Sequence, residues 1–123
     1  LCGVSAGEVM SDRLGFAYRL SEKYGVTVLA KSADTFAVSG GKVYLCTEGT
    51  TALAKGGSGD MLAGIVSSYV AQGCDALDAA ALGSFTLGSA ALLAGYKKSE
   101  RGIIARDVID ALPRFLYDLE NAD

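Results

Sequence analysis

Hydrophobic residues in the first part of the chain recur at helical spacing. Val9, Phe16, Leu20 and Tyr24 lie on one face of a helix. They follow a Ser-Ala-Gly-Glu sequence with the spacing of a capping box, in which a hydroxyl and a carboxylate satisfy backbone amides at a helix start. The pattern predicts a first helix over residues 5–24.

From residue 26 onward the apolar residues no longer recur at helical spacing, and their pattern indicates strands. Residues 26–30 form a short β-branched apolar run, which predicts a strand covered on both faces. Residues 36–38 and 42–45 flank a Ser-Gly-Gly sequence, which predicts a hairpin turn between two strands.

The second half of the chain is predicted to be helical after one long loop. Residues 47–59 have no hydrophobic period and are rich in glycine and threonine, as a loop is. Apolar residues at helical spacing predict helices over about 61–73 and 75–95. A last helical region over 104–119 is predicted to be kinked or restarted at Pro113.

The stretch over residues 79–96 contains no charged side chain and could be mistaken for a membrane span. It is rich in Ala, Gly, Ser and Thr rather than Leu and Ile, and it lacks flanking aromatic belts. We interpret it as a helix buried on most sides, in which Gly83, Gly88 and Ala91 allow close backbone approach. Strands and helices within 123 residues predict one α/β domain without a membrane segment.

Composition excludes several classes of function. The 11 basic residues are scattered and outnumbered by 14 acidic ones, which argues against nucleic-acid binding. The chain has no histidine, so Ser-His-Asp catalysis, Cys-His catalysis and imidazole metal sites are excluded for it. Cys2, Cys46 and Cys74 are too far apart for a CxxC pair and are expected to be reduced, buried thiols.

The candidate chemistry lies in residues 56–60, a Gly-Gly-Ser-Gly-Asp turn that runs into a helix. Glycines let successive amides converge, and a helix start adds free donors and partial positive charge, so the turn suits phosphate oxygens. The spacing is neither that of a Walker loop nor GxGxxG. The alternative is a plain helix start capped by Ser58 or Asp60. An acid beside phosphate would repel it, which favours a role for Asp60 in activating a hydroxyl.

These residues resemble a known family. The Leu-Ala-Lys-Gly-Gly-Ser-Gly-Asp-Met-Leu-Ala-Gly-Ile run over 53–65, followed by Ala-Gln-Gly at 71–73, is similar to the signature of the ADP/ATP-dependent NAD(P)H-hydrate dehydratases. These enzymes form the YjeF C-terminal domain family of the ribokinase-like superfamily. Residues 28–35, 79–83 and 105–113 also resemble family segments, so the similarity covers nearly the whole chain.

The resemblance implies a three-layer α/β/α sandwich of roughly twice this length. Residues 1–123 would be the C-terminal half of one ribokinase-like domain, expected to associate with the missing N-terminal half or as a homo-oligomer. The sequence departs from the family at two places. Ser32 replaces the glycine of a Lys-Gly pair, and residues 85–88 stand where relatives often carry histidine.

The resemblance also implies roles. Asp60 would be the catalytic residue and would contact the hydroxyl of hydrated NADH or NADPH. That hydroxyl is phosphorylated at the expense of ADP or ATP, with Mg²⁺ bridging the phosphates, and phosphate is then eliminated. The anion hole would consist of Gly57, Ser58 and Gly59. The binding site of the adenine nucleotide would be lined by Lys31, Ser32, Ala33, Asp34 and Thr35.

Other interpretations stay open at this point. Lys31 can also be read as an ordinary lysine at a strand end, and Lys55 is expected to be solvated rather than catalytic. The chain could instead belong to a small-molecule kinase of the same superfamily, or be a non-catalytic nucleotide-binding fragment. The cytoplasm is the default location, and an organellar source is also open.

Overall fold

A computed structural model describes residues 3–96 and 98–122, in which two helices are followed by three strands and then by three further helices. Two short 3₁₀ turns lie at Thr51–Leu53 and Glu100–Gly102. The strands are β1 (Val28–Ala30), β2 (Thr35–Ser39) and β3 (Lys42–Cys46). The helices are α1 (Ala6–Ser11), α2 (Arg13–Tyr24), α3 (Ser58–Ala71), α4 (Ala76–Gly95) and α5 (Ala105–Glu120).

The first helix is not continuous, so the prediction of one helix over 5–24 is wrong. Asp12 has φ −142° and ψ 59°, which ends α1. Its carboxylate accepts the amide of Gly15 at 3.0 Å and caps α2. The predicted capping box is present, because the Glu8 amide donates to the Ser5 hydroxyl at 3.3 Å and the Ser5 amide to the Glu8 carboxylate at 3.0 Å.

The three strands form an antiparallel sheet in the order β1-β2-β3. The predicted hairpin joins β2 to β3 through Gly40 and Gly41, whose φ values of +53° and +79° fit a tight turn with the right-handed twist of the strands. β1 is half-buried rather than covered on both faces, so that part of the prediction is wrong. It pairs with β2 along one edge, while α4 lies over β2 and β3.

The sheet lies between α2 and α4. Successive residues of β2 point to opposite faces. Ala37 packs against Leu77 and Ala80 of α4. On the other face, the guanidinium of Arg13 from α2 lies 5.4 Å from the centre of the Phe36 ring. The layers are therefore helix, sheet and helix.

Helix α4 is the centre of the molecule, as the uncharged stretch over residues 79–96 predicts. Helices α3 and α5 pack on it, and they share a core that includes Leu62, Leu87 and Val108. A β-carbon at Gly83 would lie 3.4 Å from the backbone of Val66 in α3, which confirms close approach. By length and composition α4 could cross a membrane, but 56% of its apolar window is buried inside this fold. A core helix has the same composition.

Residues 85–88, at which the family resemblance implies histidine, are used for packing. The Thr86 hydroxyl shares a hydrogen bond of 2.8 Å with that of Tyr69. The ring of Phe85 meets that of Phe115 edge-on, with centroids 5.9 Å apart.

Helix α5 continues through Pro113 as one element, so the predicted restart is wrong. Proline removes one amide donor from the helix. The helix is held nevertheless by its contact with α4, where Val108 is buried and Leu112 packs against the core.

Candidate functional site

Helix α3 begins without a side-chain cap. Its first helical hydrogen bond runs from the Met61 amide to the Gly57 carbonyl at 3.0 Å. Gly57 has φ +88°, a conformation that glycine adopts without strain, and no side chain accepts its neighbours' amides. Among the described residues, the amides of Gly57, Gly59 and Asp60 have no acceptor. The helix start therefore offers free donors and the positive end of the helix dipole.

Asp60 lies in the first turn of α3, and its side chain is exposed. It accepts no hydrogen bond from the residues that the structure describes, and Ser58 does not cap the helix either. The alternative of a structural cap is therefore not supported for either residue. A free carboxylate beside free amides can take a proton from a hydroxyl that a substrate brings to this point.

Lys31 joins the end of β1 to the start of α3. Its ammonium donates to the hydroxyl of Ser58 at 2.7 Å, although the two residues are 27 positions apart. Ser58 is buried, so the lysine charge is held next to the free amides. The fold thus brings together two predicted site segments that lie far apart in the sequence, and Lys31 is not merely an ordinary lysine at a strand end.

A cavity of about 590 Å³ opens beside Lys31. Leu62, Ser84 and Leu87 from helices α3 and α4 line it. Six residues of the segment 48–54 line it as well, and we call this segment the wall loop. Four of the predicted nucleotide-binding residues also line the cavity: Lys31, Ser32, Ala33 and Thr35.

The other predicted site residues lie outside this cavity lining. Asp34 is exposed, and its carbonyl accepts the Arg13 guanidinium at 2.9 Å. The Gly-Ser-Gly-Asp turn at 57–60 adjoins the cavity through the Lys31–Ser58 contact rather than lining it. Ser32 replaces glycine without strain, because only glycines have positive φ among the described residues.

The wall loop is the part of the site that sequence reasoning missed. Glu48, Thr50 and Thr51 line the cavity, and the threonine-rich composition was the only local signal for them. The Thr51 hydroxyl donates to the Glu100 carboxylate at 2.6 Å. The loop is therefore tied to the turn that precedes α5.

Lys55 anchors the end of this loop, although it is exposed, as predicted. Its ammonium donates to the carbonyls of Glu100 and Arg101, each at 3.2 Å, and to that of Ile103. Three carbonyl acceptors satisfy the three donors of an ammonium group. Lys55 is structural, and it holds the loop against the start of α5.

The start of α5 lies close to that of α3. A β-carbon at Gly57 would lie 3.6 Å from that of Ala105. The Asp107 carboxylate occupies this second helix start: it accepts the Lys98 ammonium at 2.7 Å and the Ile104 amide at 3.0 Å. The bond to Lys98 and then that to Ile104 hold the pKa of Asp107 below its usual value. Of these two helix starts, only that of α3 has no amide bonded to a carboxylate of the described residues.

Metal ligands are not gathered at this site. The described residues contain no group of three His, Cys, Asp or Glu side chains that could hold an ion. Cys46 and Cys74 are free and partly buried, and burial raises the pKa of the Cys46 thiol. Both thiols are free, as predicted, but they are half-buried rather than buried, and Cys2 lies outside the described residues.

The helix-sheet-helix layering, together with the glycine at the N-cap of α3, places the chain in the ribokinase-like class of α/β proteins. A family profile described as Carb_kinase, NAD(P)H-hydrate dehydratase, matches residues 1–114. The chain belongs to this family, and the resemblance noted from the sequence is confirmed.

Curated relatives are longer than this chain. The bifunctional NAD(P)H-hydrate repair enzyme Nnr of Moorella thermoacetica is 36% identical over 121 residues, which cover 98% of this chain and 23% of that protein. The ADP-dependent (S)-NAD(P)H-hydrate dehydratase of Xanthomonas campestris is 32% identical over 118 residues, covering 94% of this chain and 40% of that protein. The chain therefore spans between about a quarter and two fifths of their length.

Solved structures confirm the predicted fold. The UPF0031 family member YxkO of Bacillus subtilis superposes with a TM-score of 0.88 at 26% identity, over 95% of this chain and 44% of that one. An ADP/ATP-dependent NAD(P)H-hydrate dehydratase from Bacillus subtilis, co-crystallised with ATP/Mg²⁺, gives a TM-score of 0.86 at 27% identity. That match covers 94% of this chain and 42% of that one.

Proposed function

We propose that this chain forms the nucleotide-binding and phosphoryl-transfer part of an ADP- or ATP-dependent NAD(P)H-hydrate dehydratase. Family membership supports the reaction. The observation that carries the proposal is the Lys31–Ser58 contact of 2.7 Å, which fixes a positive charge at an uncapped helix start. Both features favour the phosphate groups of a nucleotide.

The adenine nucleotide would occupy the cavity beside this helix start. A volume of about 590 Å³ lies within the usual range of small-molecule sites. Lys31, Ser32, Ala33 and Thr35 would contact the nucleotide directly. Asp34 would act through its carbonyl, which fixes Arg13 and hence the position of the segment.

Asp60 would accept the proton of the ring hydroxyl of hydrated NADH or NADPH. The hydroxyl oxygen then bonds to the terminal phosphorus, and the nucleotide leaves with one phosphate fewer. The amides of Gly57 and Gly59 would hold the transferred oxygens, as an oxyanion hole does, beside the buried Ser58. In the second step the C–O bond breaks, phosphate leaves with the electron pair, and loss of a proton from the neighbouring carbon restores the nicotinamide ring.

Mg²⁺ would arrive with the nucleotide. The ion usually keeps several waters and is held by phosphates together with one or two carboxylates. The described residues offer no cluster that would hold it alone. The co-crystal of the Bacillus subtilis dehydratase with ATP/Mg²⁺ is consistent with such a shared site. The roles of Asp60 and Lys31 given above do not depend on the metal.

The complete activity would need more of the fold than this chain. The solved relatives extend to more than twice the matched region, since the chain covers 44% of one and 42% of another. We propose that the remaining part supplies the rest of the substrate site. We also expect the protein to self-associate and to be located in the cytoplasm.

The test is an assay of the full-length protein with hydrated NADPH and either ATP or ADP. We expect the near-ultraviolet absorbance of the reduced nicotinamide to recover, with one phosphate released for each molecule repaired. Recovery that does not depend on nucleotide would contradict the proposal. So would a stable phosphorylated product, which is the outcome expected of a small-molecule kinase.

A further inference from the structure

The wall loop rests directly on the backbone of α4 at Gly88. A β-carbon at this position would lie 2.5 Å from the carbonyl oxygen of Glu48 and 2.7 Å from its carbonyl carbon. Both of these atoms belong to the main chain, so no side-chain rotation can relieve the overlap. Any residue larger than glycine at position 88 must push Glu48 away from the helix.

This contact lies beside the cavity. Glu48 of the wall loop and Leu87, the neighbour of Gly88, both line the cavity. The far end of the loop is fixed by the bond from Thr51 to Glu100 and by the Lys55 anchor. A displacement at Glu48 is therefore confined to the few residues before Thr51, and it changes the shape of the cavity.

We infer that Gly88 is a positioning residue of the nucleotide site, which sets the distance between the wall loop and α4. The inference rests on the proposed function for the identity of the ligand, an adenine nucleotide. The geometry at Gly88 is independent of it. Gly88 does not line the cavity, so its influence on a ligand passes through Glu48 and the wall loop.

Two other glycines in α4 provide matched controls. A β-carbon at Gly83 would lie 2.5 Å from the Val66 Cγ2 atom, a side-chain tip that can rotate away, and the contact is with α3 rather than with the wall loop. A β-carbon at Gly95 would lie 3.7 Å from Ile103, an ordinary contact. The same Gly→Ala change can thus be made at three positions of one helix.

The experiment compares Gly88→Ala, Gly83→Ala and Gly95→Ala in the full-length protein. We expect Gly88→Ala to raise the KM and Kd for ATP or ADP by about tenfold or more, because sub-ångström misplacement of binding groups is costly. Its kcat at saturation should fall much less, the pattern of lost ground-state binding. Gly83→Ala should lower the free energy of unfolding without changing KM. A KM for Gly88→Ala within twofold of wild type would overturn the inference.

A second measurement separates this inference from the proposed function. In the ligand-free protein, Gly88→Ala should speed hydrogen exchange of the amides of Ala52 and Leu53, both of which bond to Thr50 in the displaced part of the wall loop, relative to Gly83→Ala. Wild-type protein that binds no adenine nucleotide would contradict the proposed function, while faster exchange in Gly88→Ala would still support the inference that Gly88 positions the wall loop. Unchanged exchange in Gly88→Ala would overturn that inference.

A change at the other end of the loop covers the case in which Gly88→Ala does not fold. Thr51→Val removes the bond to Glu100 and leaves α4 untouched. We expect it to raise the KM for the nucleotide as well, because it frees the same loop. An unchanged KM would show that the position of the wall loop does not govern affinity.

Discussion

Helices α3 and α4 begin in opposite ways. Helix α4 follows Asp75, whose carboxylate accepts the Leu77 amide at 2.9 Å. Helix α3 follows Gly57, which has no side chain to do this. Each helix nevertheless carries an exposed aspartate as its third residue, Asp78 in α4 and Asp60 in α3.

The difference shows what turns a helix start into a candidate site. A side-chain cap uses the free donors for stability, whereas a glycine start leaves them for a ligand. At α3 the nearest hydroxyl, that of Ser58, is bound to Lys31. An uncapped start, a fixed cation and a free carboxylate occur together there and not at α4.

The largest difference between the two helix starts should be in turnover, when Asp60 and Asp78 are each replaced by asparagine. We expect Asp60→Asn to lower turnover by about 10²-fold or more, the usual contribution of a positioned acid-base group. Nucleotide binding should be kept or become tighter, because the carboxylate no longer repels phosphate. Turnover is measured by nicotinamide recovery and binding by calorimetry.

The control Asp78→Asn removes the same charge from the same position of α4. It should leave turnover unchanged, and both variants should lose at most about 1 kcal/mol of stability through the helix dipole. Near-wild-type turnover of Asp60→Asn would mean that Asp60 only complements the dipole, and the proposed mechanism would be wrong.

Removing the ammonium group of Lys31 should have a smaller effect, and the effect should be on nucleotide binding. We expect Lys31→Met to raise the Kd for ATP by about tenfold, since a charge-assisted hydrogen bond contributes about 1.5–3 kcal/mol. Lys42→Met is the control, because Lys42 is an exposed lysine of the same sheet and lies outside the cavity lining. Equal Kd values for the two variants would show that Lys31 does not bind phosphate.

Removing the cap of α4 should change stability alone. Asp75→Ala deletes the acceptor of the Leu77 amide, so we expect the free energy of unfolding in urea to fall by about 1 kcal/mol. Nucleotide affinity should not change. Asp78→Ala keeps the cap and should cost less. A loss of affinity in Asp75→Ala would mean that the start of α4 is coupled to the site, and the contrast between the helices would fail.

Local signals account for what the sequence predicted correctly. The glycine pair at 40–41, the capping box at Ser5 and the glycine-rich turn before α3 each depend on neighbouring residues only. The break at Asp12 was missed because helical spacing continues across it. The fold uses that break: Arg13, the first residue of α2, reaches the Asp34 carbonyl and the Phe36 ring.

The site could be predicted only in part for the same reason. Its glycines and Asp60 are recognisable within a few residues, but the partners of the wall loop are not. Lys55 contacts Ile103, 48 positions further along the chain, and no local pattern indicates such a pairing. Its place in the loop predicted a solvated lysine, and Lys55 is exposed, but its ammonium also donates to three carbonyls that the sequence does not reveal.

The bond from Thr51 to Glu100 also has a kinetic consequence. It closes a loop of 49 residues that contains all of α3 and α4, and closing so long a loop costs chain entropy before any contact is gained. We therefore expect the helix pair to dock before the wall loop is fastened, so that this loop forms late in folding. The chain would assemble its scaffold first and the cavity of the candidate site last.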